Sequence, residues 1–597
     1  MESHKIIRNL FLLFGGLVGT FFALLVVSSV IAYTTVSSPE TSRWFELKPT
    51  EGNSSGFFGF SEFVTILALL LIIYTVTDFK YRFRIALRGQ VYVKITFWLI
   101  ISVACLSLAG DYLFANQFEL PAIIAHQSIW QLACAMTSII TLFIWLWNAF
   151  ILPPKFSPGN SHRFVAQAKK IVMNGNAHQM EVFAEELTAS YRVMVSNCLS
   201  REELGAGNQE VANEFRLDCA RLMLQISNSR FCRILASSRP YSLAVLLEEV
   251  QDQERFNIPI YDLVCNVTLE LIDNPNSVLY SEHQSYDESY LGLAKPLTRL
   301  LFGEISRRAI YKSPAELNLW KKSDWGSQQF QLYLSCMLEY ATYVTERKSV
   351  NYDRWLFEVF SSLRGEFYGF SSELYQTDSF FRSELNQKLS ICAHFIDKFI
   401  DLLDEKWPEG SKSINGKVAE NNFNRSIHYY IADSVFWLMR NTGLAKTDTV
   451  DQQWMLCNIT VWRVFSVYVS GPHRRLIAKL LRRAIYREIY SRPLFPSYKG
   501  APVVGFCLNV CGINDVRRNN GKLDHNVIIR RITVPFIRAN FKELYKTHQK
   551  VTETMLQGGV YYDAKENRLV KAYSENLDGT RSIQILDLKG SSRGKYY

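Results

Sequence analysis

Three groups of residues combine types and spacing suited to chemistry. His394, Asp397, Asp401 and Asp404 recur at i, i+3, i+7 and i+10, which sets them on one face of a helix. A histidine among carboxylates makes His394, Asp397 and Asp401 candidate ligands for a divalent metal, or candidates for acid–base work. The plainer reading is a solvated acidic face. Asp587-Leu588-Lys589 ends a strand-like run, with Asp563 one hairpin earlier. An acid followed two residues on by a lysine is how a metal-dependent nuclease holds a cation and positions water. Asp563, Asp587 and Lys589 are therefore candidate catalytic residues. The pattern is short and common, and few residues follow in which such a core would find its further helix and strand.

The third group is basic. Leu476, Ile477, Leu480, Leu481, Ala484 and Ile485 form an apolar stripe at helical spacing. Arg474, Arg475, Lys479, Arg482, Arg483 and Arg487 lie beside it. Such a helix suits anionic lipid head groups, each basic residue adding about 1 kcal/mol near the surface. It equally suits nucleic-acid phosphates. It also suits a core helix with a solvated basic face, or one docked on an acidic segment of the same chain. The charge distribution keeps all of these open. Residues 471–550 hold 17 Lys and Arg against four acids, a net +13 in a chain of net +10. Residues 244–290 hold ten acids and one base, a net −9. Asymmetry of this size concerns partners or internal docking.

Familiar reaction motifs are missing. Gly410 to Val418 approaches a phosphate loop, but five residues separate Gly410 from Gly416-Lys417, and Val418 stands where a magnesium-holding hydroxyl belongs. There is no GxGxxG, HExxH or GxSxG. Cys507 and Cys511 form a close pair without a second ligand pair nearby, which reads as packing. The other nine cysteines are scattered, as expected of reduced, mostly buried thiols in a cytosolic compartment. Nothing calls for a cofactor, and the residues favour a non-enzymatic role.

The elements that must carry these groups fall into two regions. Four apolar segments are each long enough to span a bilayer as a helix: about 10–33, 57–77, 95–114 and 129–152. The first has about 24 apolar residues, beyond the 7–15 of a signal peptide, and reads as an uncleaved anchor. Lys5 and Arg8, then Lys80, Arg82, Arg84, Arg88 and Lys94, then Lys155, Arg163, Lys169 and Lys170 fall on one side of four spans. That side is the cytoplasm, so both termini are expected inside. Gly15, Gly19 and Ala23 recur every four residues, a spacing for close helix packing within the chain or between copies in a homo-oligomer. Asp111 is the acid well inside a span, near enough to its outer end to reach the interface. The run 454–470 is apolar but holds Asn458 and Arg463, and reads as a buried soluble helix.

The rest has the composition of a foldable soluble protein. Helical periodicity recurs near 180–187, 209–235, 241–254, 294–312, 326–348, 352–365, 379–406, 425–441, 454–470 and 473–492. Breaks fall at Gly, Pro and Asn clusters such as Asp273-Asn274-Pro275-Asn276. No repeat of fixed period is present. Near Pro493 the character changes. Ala501–Leu508 and Val527–Val534 read as strands, and 535–556 as a helix. Residues 560–562, 569–573 and 581–586 read as three strands, with an Asp578-Gly579 turn signal before the last.

The expected fold is therefore a membrane α-helical domain of four transmembrane helices (1–152), a mainly α-helical cytoplasmic domain (153–492), and a small α+β module ending in a β-meander (493–597). The function this implies is that of a bacterial-type, multi-pass inner-membrane protein. Its cytoplasmic domain would bind a ligand or protein partner and act through the bilayer-embedded part in signalling, assembly or membrane permeabilisation, as in antiviral (phage) defence. The alternatives are a membrane-anchored nucleic-acid-binding protein using 471–550, and a metal-dependent nuclease-like enzyme.

Overall fold

The computed structural model describes residues 78–88, 90–115, 127–147, 154–205, 213–284, 290–309, 312–316, 325–350, 353–373, 384–410, 426–444, 450–462, 471–490, 500–514, 525–575 and 581–588, with single positions 61, 64, 65 and 68. The first expected span, with Gly15, Gly19 and Ala23, lies outside the described residues, as do the second span apart from those four single positions, Lys589 and the Asp578-Gly579 turn. The protein is mainly α-helical, with a small C-terminal three-stranded antiparallel sheet. It divides into two compact units, one of residues 1–198 with 209–225, the other of 199–208 with 226–597.

In the first unit, α1 (Phe79–Arg88) leads across Gly89 into α2 (Gln90–Ala115), which pairs with α3 (Gln127–Leu146). Lys94–Leu113 is 20 residues long and, by length and composition, is the helix among the described residues able to cross a membrane. Trp130–Leu146 is a shorter apolar helix. Gly110 permits their close approach, since a Cβ there would sit 2.0 Å from Trp130 Nε1. Gln131 Nε2 donates to Asp111 Oδ1 at 3.2 Å, so the acid is met by the facing helix. The outward surface of this hairpin is apolar: Phe97, Trp98, Leu132, Ile139 and Phe143 are all exposed.

Four helices follow: α4 (Ser161–Asn174), α5 (Ala177–Thr188), α6 (Tyr191–Asn197) and α7 (Glu214–Ile226). Asn176 and Gln179 form a capping box that starts α5. An aromatic core joins these helices to α1. Phe83 packs edge-on against Phe164 and Phe183, each at 5.7 Å, and Phe156 meets Phe164 and Phe215 at 5.3 Å. Beside Phe83, Arg84 makes two hydrogen bonds to the Glu186 carboxylate at 2.7 and 2.9 Å, with both side chains buried.

The second unit contains α8 (Ser229–Ser238), α9 (Pro240–Asp252), α10 (Tyr261–Asp273), α11 (Pro296–Phe302), α12 (Ser327–Glu346), α13 (Arg354–Glu373), α14 (Glu384–Lys406), α15 (Ile427–Thr442) and α16 (Pro472–Tyr490). All but α10 sit where periodicity predicts a helix; α10 falls between the expected segments 241–254 and 294–312. Between α15 and α16, residues 450–455 are α-helical and 456–462 form a π-helix.

Two expected strands are corrected. Ala501–Leu508 belongs to α17 (Ala501–Cys511), and Val527–Val534 to α18 (His525–Thr547). The helix expected to begin at Pro535 starts ten residues earlier and carries Pro535 in its interior, ending before a separate short helix at Gln549–Glu553. Every residue from Ala501 to Asn509 is buried. A helix covered all round has no polar face, so its sequence shows no 3.6 period and matches a buried strand. The meander is present as β1 (Val560–Asp563), β2 (Arg568–Glu575) and β3 (Arg581–Asp587), in order β1-β2-β3. It closes the end of α17: Gln584 accepts from Ile513 N–H at 2.9 Å, and Lys571 Nζ donates to the carbonyls of Leu508 (3.3 Å) and Asn509.

Candidate anion-binding face

Two of the three residue groups singled out in the sequence meet in space. Arg474, at the start of α16, donates from Nη2 to Asp397 Oδ1 at 2.7 Å and to Asp401 Oδ1 at 2.6 Å, both on α14. Burial works against the Arg474 charge, and the two carboxylates more than offset it, so its pKa rises above the ordinary arginine value. Asp404, one turn on, accepts from His473 N–H at 2.8 Å and so satisfies a donor in the first turn of α16. Gly471 is needed for this contact, because a Cβ would lie 1.9 Å from Asp404 Oδ2. The acidic face of α14 is thus a cradle for the α16 N-terminus. His394 is exposed, and no cluster of three metal-ligating side chains occurs among the described residues.

His473 adds a second anchor. Its Nε2 is 2.7 Å from Trp407 O, and its Nδ1 is 2.6 Å from Nε2 of His428 on α15. A carbonyl only accepts, so His473 Nε2 carries the proton, and His428 Nε2 donates to His473 Nδ1. His428 Nδ1 is then a buried lone pair without a partner. Burial, and the neighbouring His473, push His428 down to about 3; burial also lowers His473. The pair is neutral and structural.

With its N-terminus fixed, α16 turns its apolar stripe inward. Leu476, Ile477, Leu480, Leu481, Ile485 and Ile489 are all buried. Arg475, Lys479, Arg483 and Arg487 are exposed at i, i+4, i+8 and i+12, and Arg482 is half-buried beside them. Tyr486 is 52% and Tyr490 38% exposed; their rings stack with centroids 4.6 Å apart. Tyr490 is held in place by α18, its hydroxyl donating to Ile532 O at 3.1 Å and its ring lying edge-on to Phe536. Arg531 is exposed next to that carbonyl.

In the acidic 244–290 segment, Glu270 pairs with Arg233 and Asp262 with Lys312. Glu282 accepts from the backbone N–H groups of Leu297 and Thr298, capping α11.

The third group stands on the meander. Asp563 Oδ1 accepts from Lys565 N–H and Glu566 N–H in a turn, and its Oδ2 accepts from Arg568 Nε at 3.1 Å. Arg568 is the register partner of both Asp563 and Asp587. An arginine therefore occupies the space between the two carboxylates.

Two constellations escaped the sequence reading. Lys571, on β2, is 1% exposed, and burial pushes it down to about 8. Cys336 Sγ lies 3.5 Å from His283 Nε2. Burial pushes the thiol well up and the imidazole down to about 4, the reverse of the thiolate–imidazolium pair that cysteine catalysis uses. In both cases the partners are distant in sequence, and no local spacing announces them.

Comparison with known proteins adds no family. No family model matches the chain, and no curated protein matches it. A crystal structure of an engineered protein aligns with 66% of this chain and 97% of its own at 13% identity, with a TM-score of 0.19, too low to carry an argument.

Proposed function

We propose that this chain is a multi-pass, bacterial-type inner-membrane protein with four spans and both termini in the cytoplasm. Its cytoplasmic helical part docks an anionic partner on α16 and acts through the membrane hairpin, with signalling, assembly or altered permeability as the output. The observation that carries this reading is the seating of α1. That helix is one residue from α2, yet Phe83 and Arg84 are built into the core of α4 and α5. The connection before α2 and the chain after α3 therefore lie at one end of the hairpin, as an even-span, basic-side-in arrangement requires. The seating also supplies a rigid route by which rearrangement of the cytoplasmic helices would move a span. The exposed apolar surface of α2 and α3 supports lipid contact.

Alkaline phosphatase fusions test the topology. Fusion after Asn53 is expected to be active, and fusion after Gly89 or Gly159 inactive. Activity at Gly159 would overturn the four-span arrangement.

A further inference from the structure

The exposed face of α16 has the chemistry of one class of anionic partner. A basic amphipathic helix binds a bilayer by sinking its apolar stripe among the acyl chains. That route is closed to α16, whose stripe forms the core with Leu481, Ile485 and Ile489 at 2% exposure or less. What remains outward is charge and aromatic rings.

The charges follow a line. Arg475, Lys479, Arg483 and Arg487 repeat every four residues, so successive bases rise about 6 Å along an axis of about 18 Å. The one acid of α16, Glu488, is half-buried. Three of the four bases are arginines, whose planar guanidinium matches phosphate with two parallel hydrogen bonds. At the end of this line stands the Tyr486–Tyr490 stack, with Tyr490 fixed by Ile532 O and Phe536, and Tyr486 as the more exposed ring. Arg531, which is exposed, directly precedes Ile532, whose carbonyl holds Tyr490. A phosphate-tracking stripe ending in an exposed aromatic platform fits a strand whose bases are free to stack. A duplex keeps its bases stacked on one another and has no use for the platform.

We propose that the α16 face, from Arg475 to Tyr490 with Arg531, binds single-stranded nucleic acid, the arginines and Lys479 taking phosphates and Tyr486 stacking on a base. This rests on the reading of α16 as an anion-docking face.

The test uses the full chain in nanodiscs of neutral lipid. The probes are a labelled oligothymidylate of roughly 16 nucleotides, a duplex of the same length, heparin, and vesicles containing phosphatidylglycerol. The single strand is expected to bind more tightly than the duplex, with a log–log salt slope of about −3 for four phosphate contacts. Tyr486→Ala is expected to weaken the single strand about 5- to 100-fold, the loss of one stacked base, while leaving heparin unchanged; Tyr486→Phe retains binding. Replacing Arg475, Lys479, Arg483 and Arg487 with Gln weakens oligonucleotide and heparin together. Equal oligonucleotide binding by Tyr486→Ala and wild type overturns the inference. So does binding of vesicles without the oligonucleotide, which leaves the anion-docking reading intact and makes the partner a lipid surface. Failure to bind any of these polyanions overturns both.

Discussion

Two basic helices of this protein do opposite things with their charge. α1 carries Lys80, Arg82, Arg84 and Arg88; α16 carries six Lys and Arg beside an apolar stripe. In α1 the charge is turned into the fold. Arg84 is buried against Glu186, and Lys80 reaches Glu185 at 2.7 Å. In α16 Arg474 is treated that way, in its Asp397–Asp401 cradle, while Arg475, Lys479, Arg483 and Arg487 are exposed. The count of basic residues is the same kind of signal in both places. Its meaning is set by the acids across the helix contact: the Glu185-Glu186 pair on α5, and the Asp397, Asp401, Asp404 edge of α14.

The hardest way to break this comparison is at Glu186. Glu186→Ala removes the carboxylate that two hydrogen bonds of the buried Arg84 reach, and the expected loss is about 3–5 kcal/mol. Thermal unfolding of the detergent-solubilised full chain reads it. Arg84→Met with Glu186→Leu removes both charges and is expected to recover most of the loss. A near-neutral Glu186→Ala would mean that Arg84 reaches water, and that α1 is a surface helix like α16.

Much of this was legible in the sequence, and the failures are physical. Most helices of the second unit are legible because each keeps one polar face; α10, which buries Tyr261, Leu263, Val264, Val267, Thr268, Leu271 and Ile272, is not among those the periodicity marks. α17 has none, so Ala501–Leu508 looked like a strand. In α18, Ile528, Ile529, Ile532, Thr533 and Val534 supplied β-branched residues, and Pro535 suggested a helix start. Pro535 has no N–H to donate to the Arg531 carbonyl, and the packing of Ile529, Val534, Phe536 and Ile537 into the core outweighs that defect. The meander was readable because its turns are local. The acidic face of α14 is legible as a pattern, read as a metal or acid–base site or a solvated face, but its arginine partner lies 77 residues downstream of Asp397, where local spacing gives no sign of it.

The α16 anchor has its own weakness, which is acid. His428 and His473 are buried and neutral, and His283 is held down to about 4 by burial. Their folded-state pKa values lie below the ordinary 6.5, so as pH falls the unfolded chain takes up protons first. Stability is expected to be full above pH about 6.5 and to decline below it, toward about 4 for His283 and about 3 for His428. Between pH about 6.5 and 5, where few carboxylates titrate, His428→Leu should remove up to about 1.4 kcal/mol per pH unit of that decline. The measurement is unfolding temperature against pH. An unchanged slope would place His428 in contact with water and loosen the account of how α16 is fixed.

The smallest effect separates neighbours on one helix. Arg474 and Arg475 are adjacent in sequence, yet one is a structural ion pair and the other belongs to the outward stripe. Replacing Arg475, Lys479, Arg483 and Arg487 with Gln removes three like-charge i, i+4 pairs, each destabilising a helix by about 0.2–0.5 kcal/mol. The quadruple variant is therefore expected to be as stable as wild type, or more stable by up to about 1 kcal/mol at low ionic strength. The gain should fade as salt rises toward 1 M, where the screening length shrinks to about 3 Å. Arg474→Gln should go the other way, losing about 1–2 kcal/mol as Asp397 and Asp401 face each other across an empty cradle. Thermal unfolding of both variants at low and high salt gives the two signs directly. If the quadruple variant loses stability, the stripe is holding the fold through contacts of its own. A surface that the fold does not need, kept strongly charged at a cost to the helix, is what a binding face requires. A stabilised quadruple variant that no longer binds polyanions would put α16 in that class.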